Sequence, residues 1–191
     1  MTFPRIKATE TSFNKRRLIS GVGRNDVWYV TQPKVNGKQI QCPYFKMWRQ
    51  MLYRCYDKHY GTGMTICDEW LSLAAFVSWA AKQDRAGKVL TTYRGMTEYN
   101  PESCLFLDSY SSRMLHGAED TKGCTFQPRK KVWHAKIQMH GKTHCLGYGK
   151  TEVQAHEKYR AARRNYILKN AELQTNARVK HELTNYAEAV M

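Results

Sequence analysis

Residues 122–170 constrain the fold more than any other stretch, because three strand-like runs there lead directly into one amphipathic helix. The runs are 123–127, 132–139 and 143–148. Gly141-Lys142 is predicted as the tight turn between the last two runs, since glycine takes the positive φ that a two-residue connection needs. In the second run Trp133, Ala135 and Ile137 alternate with His134, Lys136 and Gln138. The pattern predicts a three-stranded antiparallel sheet with one apolar face and one polar, cationic face.

The helix that follows is predicted to begin after Thr151, with Gln154 in the second position of a capping box. Apolar and aromatic side chains recur at helical spacing and can lie on the sheet: Ala155, Tyr159, Ala162 and Tyr166. Five cations are expected on the opposite face: Lys158, Arg160, Arg163, Arg164 and Lys169. The predicted unit is therefore a small sheet supported by one basic helix.

Positive charge is concentrated in this unit, where twelve basic residues between Lys122 and Lys169 face only Glu152 and Glu157. The whole chain carries a formal net charge of +15, with a pI near 9.7. We interpret this imbalance as evidence for a polyanionic partner. Nucleic acid is favoured over a membrane surface, because no long basic amphipathic helix precedes an apolar anchor.

The order of residues in this unit resembles the DNA-binding domain of plant ethylene-response factors and its phage and mobile-element relatives. The matching positions are Gly123, Trp133, Ala135, Ile137, Gly141-Lys142, Leu146-Gly147-Tyr148, Thr151, Ala155 and Tyr159. The resemblance implies that the sheet enters the major groove of double-stranded DNA while the helix supports it. The plant pattern has more arginines, and a tryptophan where this chain has Cys145, so a base preference does not carry over.

The same resemblance assigns individual DNA-binding positions. Those expected to face the groove are Lys122, Thr125, Gln127, Lys136, Gln138 and Thr143. Arg129 and Lys130 are expected near the phosphate backbone, and Lys142 also belongs to the DNA-binding set. RNA is a weaker candidate, because a rigid sheet suits the wide major groove of B-form DNA better than the narrow groove of A-form RNA.

Upstream, the sequence predicts a basic arm and hairpin over 1–40 and a nuclease-like α+β module over 41–117. The arm contains a short strand at 27–30 and a turn at Asn36-Gly37, and its first residues either reach for phosphate or are a solvated tail. Helices are predicted over 44–56, 71–83 and 111–117, and short strands at 65–67, 89–90 and 104–107. The acidic stretch 118–121 is the predicted domain boundary.

The order of short motifs in this module resembles a family of homing endonucleases of tailed phages, in which an ethylene-response-factor-like domain follows. The motifs are Gly21-Val22-Gly23, Asn25-Asp26, Tyr29-Val30, Cys42-Pro43-Tyr44-Phe45, Trp48, Met51-Leu52, Arg54-Cys55-Tyr56, Cys67-Asp68-Glu69-Trp70, Phe76, Trp79 and Tyr99-Asn100-Pro101-Glu102-Ser103-Cys104. With both modules matched, the resemblance covers most of residues 20–170. It implies a phage protein that acts in the cytoplasm of an infected bacterial cell.

One motif departs from that family. Its members carry an acidic Leu-Asp-Lys-Asp run before the Tyr-x-Pro-Glu-x-Cys turn, whereas this chain has Leu90-Thr91-Thr92-Tyr93. Because a hydroxyl is a much poorer ligand for Mg²⁺ than a carboxylate, this position is not expected to hold a catalytic metal. Asp68 and Glu69 remain weak catalytic candidates, and Glu69 can equally be a surface residue in the first turn of a helix. No cofactor is assigned, although nuclease activity would require Mg²⁺.

Six cysteines are spread singly along the chain, which favours reduced thiols over disulfides. Cys42, Cys55, Cys67 and Cys104 could supply a zinc site, but without a CxxC pair buried apolar thiols are the favoured interpretation. No apolar run approaches the ~18 residues of a membrane span, and the N-terminus lacks the apolar core of a signal peptide. These features predict an intracellular protein.

We therefore expect an α+β protein with a helix-rich first module and a sheet-on-helix second module. The expected function is double-stranded DNA binding without cleavage, and the alternative is an active, divalent-metal-dependent homing endonuclease. Residues 171–191 carry Val179, Leu183 and Tyr186 at helical spacing. They are predicted as a helix that either folds back on the first module or mediates self-association.

Overall fold

The chain forms two compact units, divided between Phe106 and Leu107 in a computed structural model. The model describes residues 3–57, 63–116, 123–139 and 141–189. The division falls before the expected boundary at 118–121, which lies outside the described residues. The reason is that a helix over Ser109–His116 packs against the C-terminal helix of the second unit. Both units contain helices and strands, so the α+β class is confirmed.

The first unit contains three α-helices and three two-stranded pairings among its described residues. Its elements are α1 Glu10–Asn14, β1 Lys34–Val35, β2 Lys38–Gln39, α2 Pro43–Tyr56, β3 Thr65–Ile66, a 3-10 helix Asp68–Leu71, α3 Leu73–Ala80, β4 Val89–Thr92, β5 Glu98–Tyr99 and β6 Cys104–Leu107. Strand β1 pairs antiparallel with β2, β3 pairs parallel with β5, and β4 pairs with β6. Asn36 and Gly37 both have positive φ, as the predicted hairpin turn requires.

The core of this unit forms where α2 meets the 3-10 helix and α3. Trp48 is fully buried, and its indole Nε1 donates a 2.7 Å hydrogen bond to the carbonyl oxygen of Trp70. The Trp70 ring meets Phe76 edge-on at 5.2 Å between centroids, a favourable aromatic geometry. Gly23 closes the cluster, since a Cβ there would lie 2.3 Å from Cδ1 of Leu52.

The N-terminal segment differs from both expectations, because its described part is packed against the chain. Arg16 donates hydrogen bonds to the carbonyl oxygens of Asn25, Val27 and Tyr29. The predicted strand at 27–30 is absent, and only an isolated bridge joins Tyr29 to Lys7. A single guanidinium thus satisfies carbonyls that a strand partner would otherwise have paired.

The second unit contains α4 Ser109–His116, β7 Cys124–Gln127, β8 Val132–Met139, β9 Lys142–Gly149, α5 Glu152–Glu172 and α6 Ala177–Ala189. Strands β7, β8 and β9 form the predicted antiparallel sheet in chain order. Lys142 was predicted in the turn. It is instead the first residue of β9, where it pairs with Met139. No helix within the described ranges is long and apolar enough to cross a membrane.

Helix α5 packs across the sheet, as predicted, because small residues allow a close approach. Ala135 of β8 and Ala155 of α5 are both fully buried. Gly123 lies so near Tyr159 that a Cβ at this position would be 2.1 Å from the ring. The Thr151 hydroxyl caps the helix by accepting a hydrogen bond from the backbone N–H of Gln154.

Helix α6 packs on α5, so neither expectation for the C-terminal residues describes this contact. Its buried side chains include Val179, Leu183 and Tyr186. Arg163, predicted on the face of α5 opposite the apolar stripe, is half-buried there, and its guanidinium donates a 2.5 Å hydrogen bond to the Tyr186 hydroxyl. Periodicity within α5 missed this contact because the partner lies on another helix.

Candidate nucleic-acid interface

The side of the sheet away from α5, here called the open face, carries five of the predicted DNA-binding side chains. Because cross-strand partners in an antiparallel pair project to the same side, the register defines this face. It aligns Thr125 with His134, Lys136 with Cys145, and Gln138 with Thr143. Gln127 lies two residues beyond Thr125 on the same strand and shares its side. The open face therefore presents two amides, one ammonium group and two hydroxyls from three strands.

A β-bulge brings Tyr148 onto the same face. The pairing runs from His134 opposite Tyr148 to Lys136 opposite Cys145, which leaves Leu146 without a cross-strand partner. Because β9 contains this one extra residue, the side chains of Cys145 and Tyr148 project to the same side of the sheet. Strict alternation along β9 would have placed Tyr148 and Cys145 on opposite faces.

His134 joins the centre of the open face through three contacts that sequence analysis did not assign to the site. Its Nδ1 lies 3.2 Å from the amide nitrogen of Gln127, and its Nε2 lies 3.1 Å from Sγ of Cys145. The imidazole also stacks on Tyr148, with 4.9 Å between centroids. The alternation along β8 already placed His134 beside Lys136, and that was the available signal.

The remaining predicted cations occupy different places. Arg129 and Lys130 are exposed in the turn between β7 and β8, and the Lys130 ammonium lies 5.3 Å from the centroid of the Tyr148 ring. Lys142 pairs with Met139 and therefore projects to the α5 side of the sheet at its hairpin end. Lys122 lies outside the described residues.

Trp133 lies on the α5 side, as predicted, but its side chain is only half-buried. Its ring packs 5.4 Å from that of Phe126, which is itself exposed. The buried part of this layer is formed instead by Ala135 and Ile137. Trp133 therefore contributes less to the core than its size suggested.

The weak catalytic candidates lie at the surface of the first unit. Asp68 and Glu69 are exposed in the first turn of the 3-10 helix. Thr91 and Thr92, at the positions where the resemblance expected acidic residues, are both buried in β4. Among the described residues, no group of three or more His, Cys, Asp or Glu side chains is arranged to hold a metal ion.

The four cysteines considered for zinc lie in apolar surroundings. Burial raises the pKa of Cys104 to about 11, although the Ser103 hydroxyl opposes the shift. Burial likewise raises the pKa of Cys55 to about 11 and raises that of Cys67. Cys42 is buried against the Tyr29 hydroxyl, at 3.7 Å. Burial thus favours the protonated thiol at Cys55, Cys67 and Cys104, whereas the thiolate is the form that binds metal.

No family model, curated protein or solved structure matched this chain when it was compared with each. The residues of the chain itself are therefore the basis for the functional inference. Their most informative arrangement is the open face, where polar and cationic side chains from all three strands lie side by side.

Proposed function

We propose that this chain binds double-stranded DNA by inserting the open face of the β7–β9 sheet into the major groove. The observation that carries the proposal is the placement of Lys136, Gln138 and Thr143 on one exposed face. Residues 121–151 contain seven Lys or Arg and no Asp or Glu. The segment that contains the sheet thus combines hydrogen-bonding groups with a net positive charge.

The side chains on this face suit base edges in the major groove. Gln138 can donate to N7 and accept from N6 of adenine, and Lys136 can donate to guanine O6 and N7. The major groove is about 12 Å wide and admits a β-ribbon, whereas the narrow groove of A-form RNA does not. Arg129 and Lys130, at the end of the sheet, would contact phosphate and set the register.

We further propose that the protein acts inside the cell as a relative of phage homing endonucleases that binds DNA without cutting it. The replacement of the acidic run by Thr91 and Thr92 supports this choice over the metal-dependent endonuclease. Buried threonine hydroxyls are neutral and poor ligands for Mg²⁺, so they cannot stabilise the charge that develops on phosphate.

Selection from random-site duplex DNA in the presence of Mg²⁺, followed by sequencing of the bound and cleaved pools, tests both proposals. We expect an enriched sequence in the bound pool and none in the cleaved pool. With ~6 phosphate contacts, the slope of log K against log salt should be about −5. A slope near zero would remove nucleic acid as the partner, and a cleaved pool with a defined sequence would favour the endonuclease.

A matched pair of variants locates the surface. Lys136 lies on the open face, while Lys180 is an exposed lysine on α6. Lys136→Gln should weaken binding several-fold, and Lys180→Gln should leave it near the wild-type value. Equal effects of the two changes would show that the open face is not the site.

A further inference from the structure

The first unit carries as much net positive charge as the second. The proposed DNA-binding sheet lies in the second unit and gives no reason for this charge. Residues 1–106 contain 16 Lys or Arg and 8 Asp or Glu, a net charge of +8 out of +15 for the chain. Part of this charge is used internally, as at Arg16. Many of the others are exposed, and three of these lie on α2.

Helix α2 carries three of the exposed cations of the first unit. The helix contains Lys46, Arg49 and Arg54 and no acidic residue, and all three cations are exposed. At a rise of 1.5 Å per residue, Lys46 and Arg54 lie about 12 Å apart along the helix axis. That length corresponds to roughly three or four phosphates of one DNA strand, which succeed one another about every 3.4 Å along the duplex axis.

A cleft beside α2 extends the charged surface. Its volume is about 370 Å³, and its lining includes Lys46 and Arg54 from the helix and Arg85 and Lys88 from the loop before β4. The Arg85 guanidinium lies 4.2 Å from the centroid of the Tyr44 ring, which holds it near the helix. The cleft lining contains no carboxylate, although Lys88 pairs with Asp84 at 2.6 Å.

We propose that α2 and the loop 85–88 form a second DNA-binding surface, which grips the phosphodiester backbone without reading sequence. The inference rests on the proposed function for the identity of the polyanion. Contacts to phosphate hold a protein on the duplex but carry no sequence information directly.

The alternative is that these cations are simply solvated by water and bind no partner. Like charges three or four residues apart on a helix oppose helix formation, and Lys46 and Arg49 form such a pair. A solvated face usually relieves that repulsion with interspersed acidic residues, which α2 lacks. An anionic partner along the helix would relieve it directly.

The test compares three variants of the full chain on one enriched duplex across a salt series. Lys46→Gln/Arg49→Gln removes two cations from α2, and Lys34→Gln/Lys38→Gln removes two exposed cations from the β1–β2 hairpin of the same unit. Lys136→Gln reports on the open face. We expect the α2 variant to reduce the slope of log K against log salt by about 2 and to select the same sequence as the wild type. The hairpin variant should keep the wild-type slope.

Three outcomes separate the proposals. An α2 variant with the slope of the hairpin variant would overturn the second surface, even if Lys136→Gln confirms the first. If Lys136→Gln bound DNA like the wild type while the α2 variant had a reduced salt slope, the open face would be ruled out as the binding surface and α2 would be retained. Absence of duplex binding by the wild type would overturn both. Circular dichroism checks folding, and if the double variant unfolds, Lys46→Gln alone should reduce the slope by about 1.

Discussion

On the open face of the sheet, Nε2 of His134 lies 3.1 Å from Sγ of Cys145. The two residues come from neighbouring strands, and Cys145 pairs with Lys136, two residues along β8 from His134. Cys145 is exposed, whereas Cys42 and Cys104 are buried. An accessible thiol therefore lies in the middle of the surface that we propose contacts DNA.

Alkylation of Cys145 with N-ethylmaleimide should abolish high-affinity DNA binding, because the adduct would occupy space needed by the groove edge. Prior binding of duplex DNA should slow the reaction, as measured by mass spectrometry of the labelled peptide. Cys145→Ser should bind DNA and resist the reagent. Full binding by the alkylated protein would show that Cys145 lies outside the interface.

Replacement of Gln138 should change sequence preference more than general affinity. Gln138→Ala loses a bidentate contact with one base, and the discrimination at one base pair should fall by about 1–3 kcal/mol. Sequencing of the selected pool measures this change. Gln83→Ala, at an exposed position of the first unit, is the matched control and should leave the preference unaltered.

Substitution of Gly123 should loosen the packing of the sheet on α5. Alanine at a positive φ costs about 1–2 kcal/mol by itself, and this cost applies equally to Gly87. At Gly123 the new Cβ would also collide with the Tyr159 ring. A Cβ at Gly87 would have no non-neighbouring atom within 4 Å. Urea unfolding should therefore show Gly123→Ala to be less stable than Gly87→Ala by about 1–3 kcal/mol. Equal losses would contradict the close approach of the ring.

Two leucines near the C-terminus test the docking of α6. Leu183 is fully buried, and Leu173 is 77% exposed in the connection to α6. Leu183→Ala should lower the free energy of unfolding by about 2–5 kcal/mol, because it leaves a cavity. Leu173→Ala should change it by less than about 0.5 kcal/mol. Similar values for both variants would mean that α6 does not pack on α5 in solution.

Stability should decrease above pH 9. Burial raises the pKa of Cys104 and of Cys55 to about 11, from an ordinary value of 9.0. The unfolded chain releases these protons near pH 9 while the folded chain retains them, so the stabilisation is complete below pH 9 and declines towards pH 11. Urea midpoints at pH 7, 8.5 and 10 measure the decline, and Cys55→Ala should reduce it. A midpoint that rises over this range would contradict the burial of these thiols.

Local patterns predicted the second unit well, because its sheet and helix are continuous in sequence. Alternation in 132–139 and the four-three-four spacing in α5 each report one buried face, and the two faces meet. The turn at Asn36-Gly37 was equally accessible, since a short-range conformational preference determines it.

The contacts that the sequence did not predict join residues that are far apart along the chain. Arg16 lies against carbonyls about ten residues away, and Arg163 lies against Tyr186 on a different helix. A cation near an aromatic ring and a cation in water have the same local sequence pattern. The position of Tyr148 beside His134 also depends on a bulge, which alternation cannot anticipate.

The unpaired Leu146 has a consequence for how the chain can vary in length. If Leu146 were deleted, Gly147 would still lie opposite Ala135 and Cys145 opposite Lys136, because the bulge alone would disappear. If His144 were deleted instead, Thr143 would move to the other side of the sheet. Gains and losses of single residues in β9 should therefore be accommodated at Leu146, where they leave the open face intact.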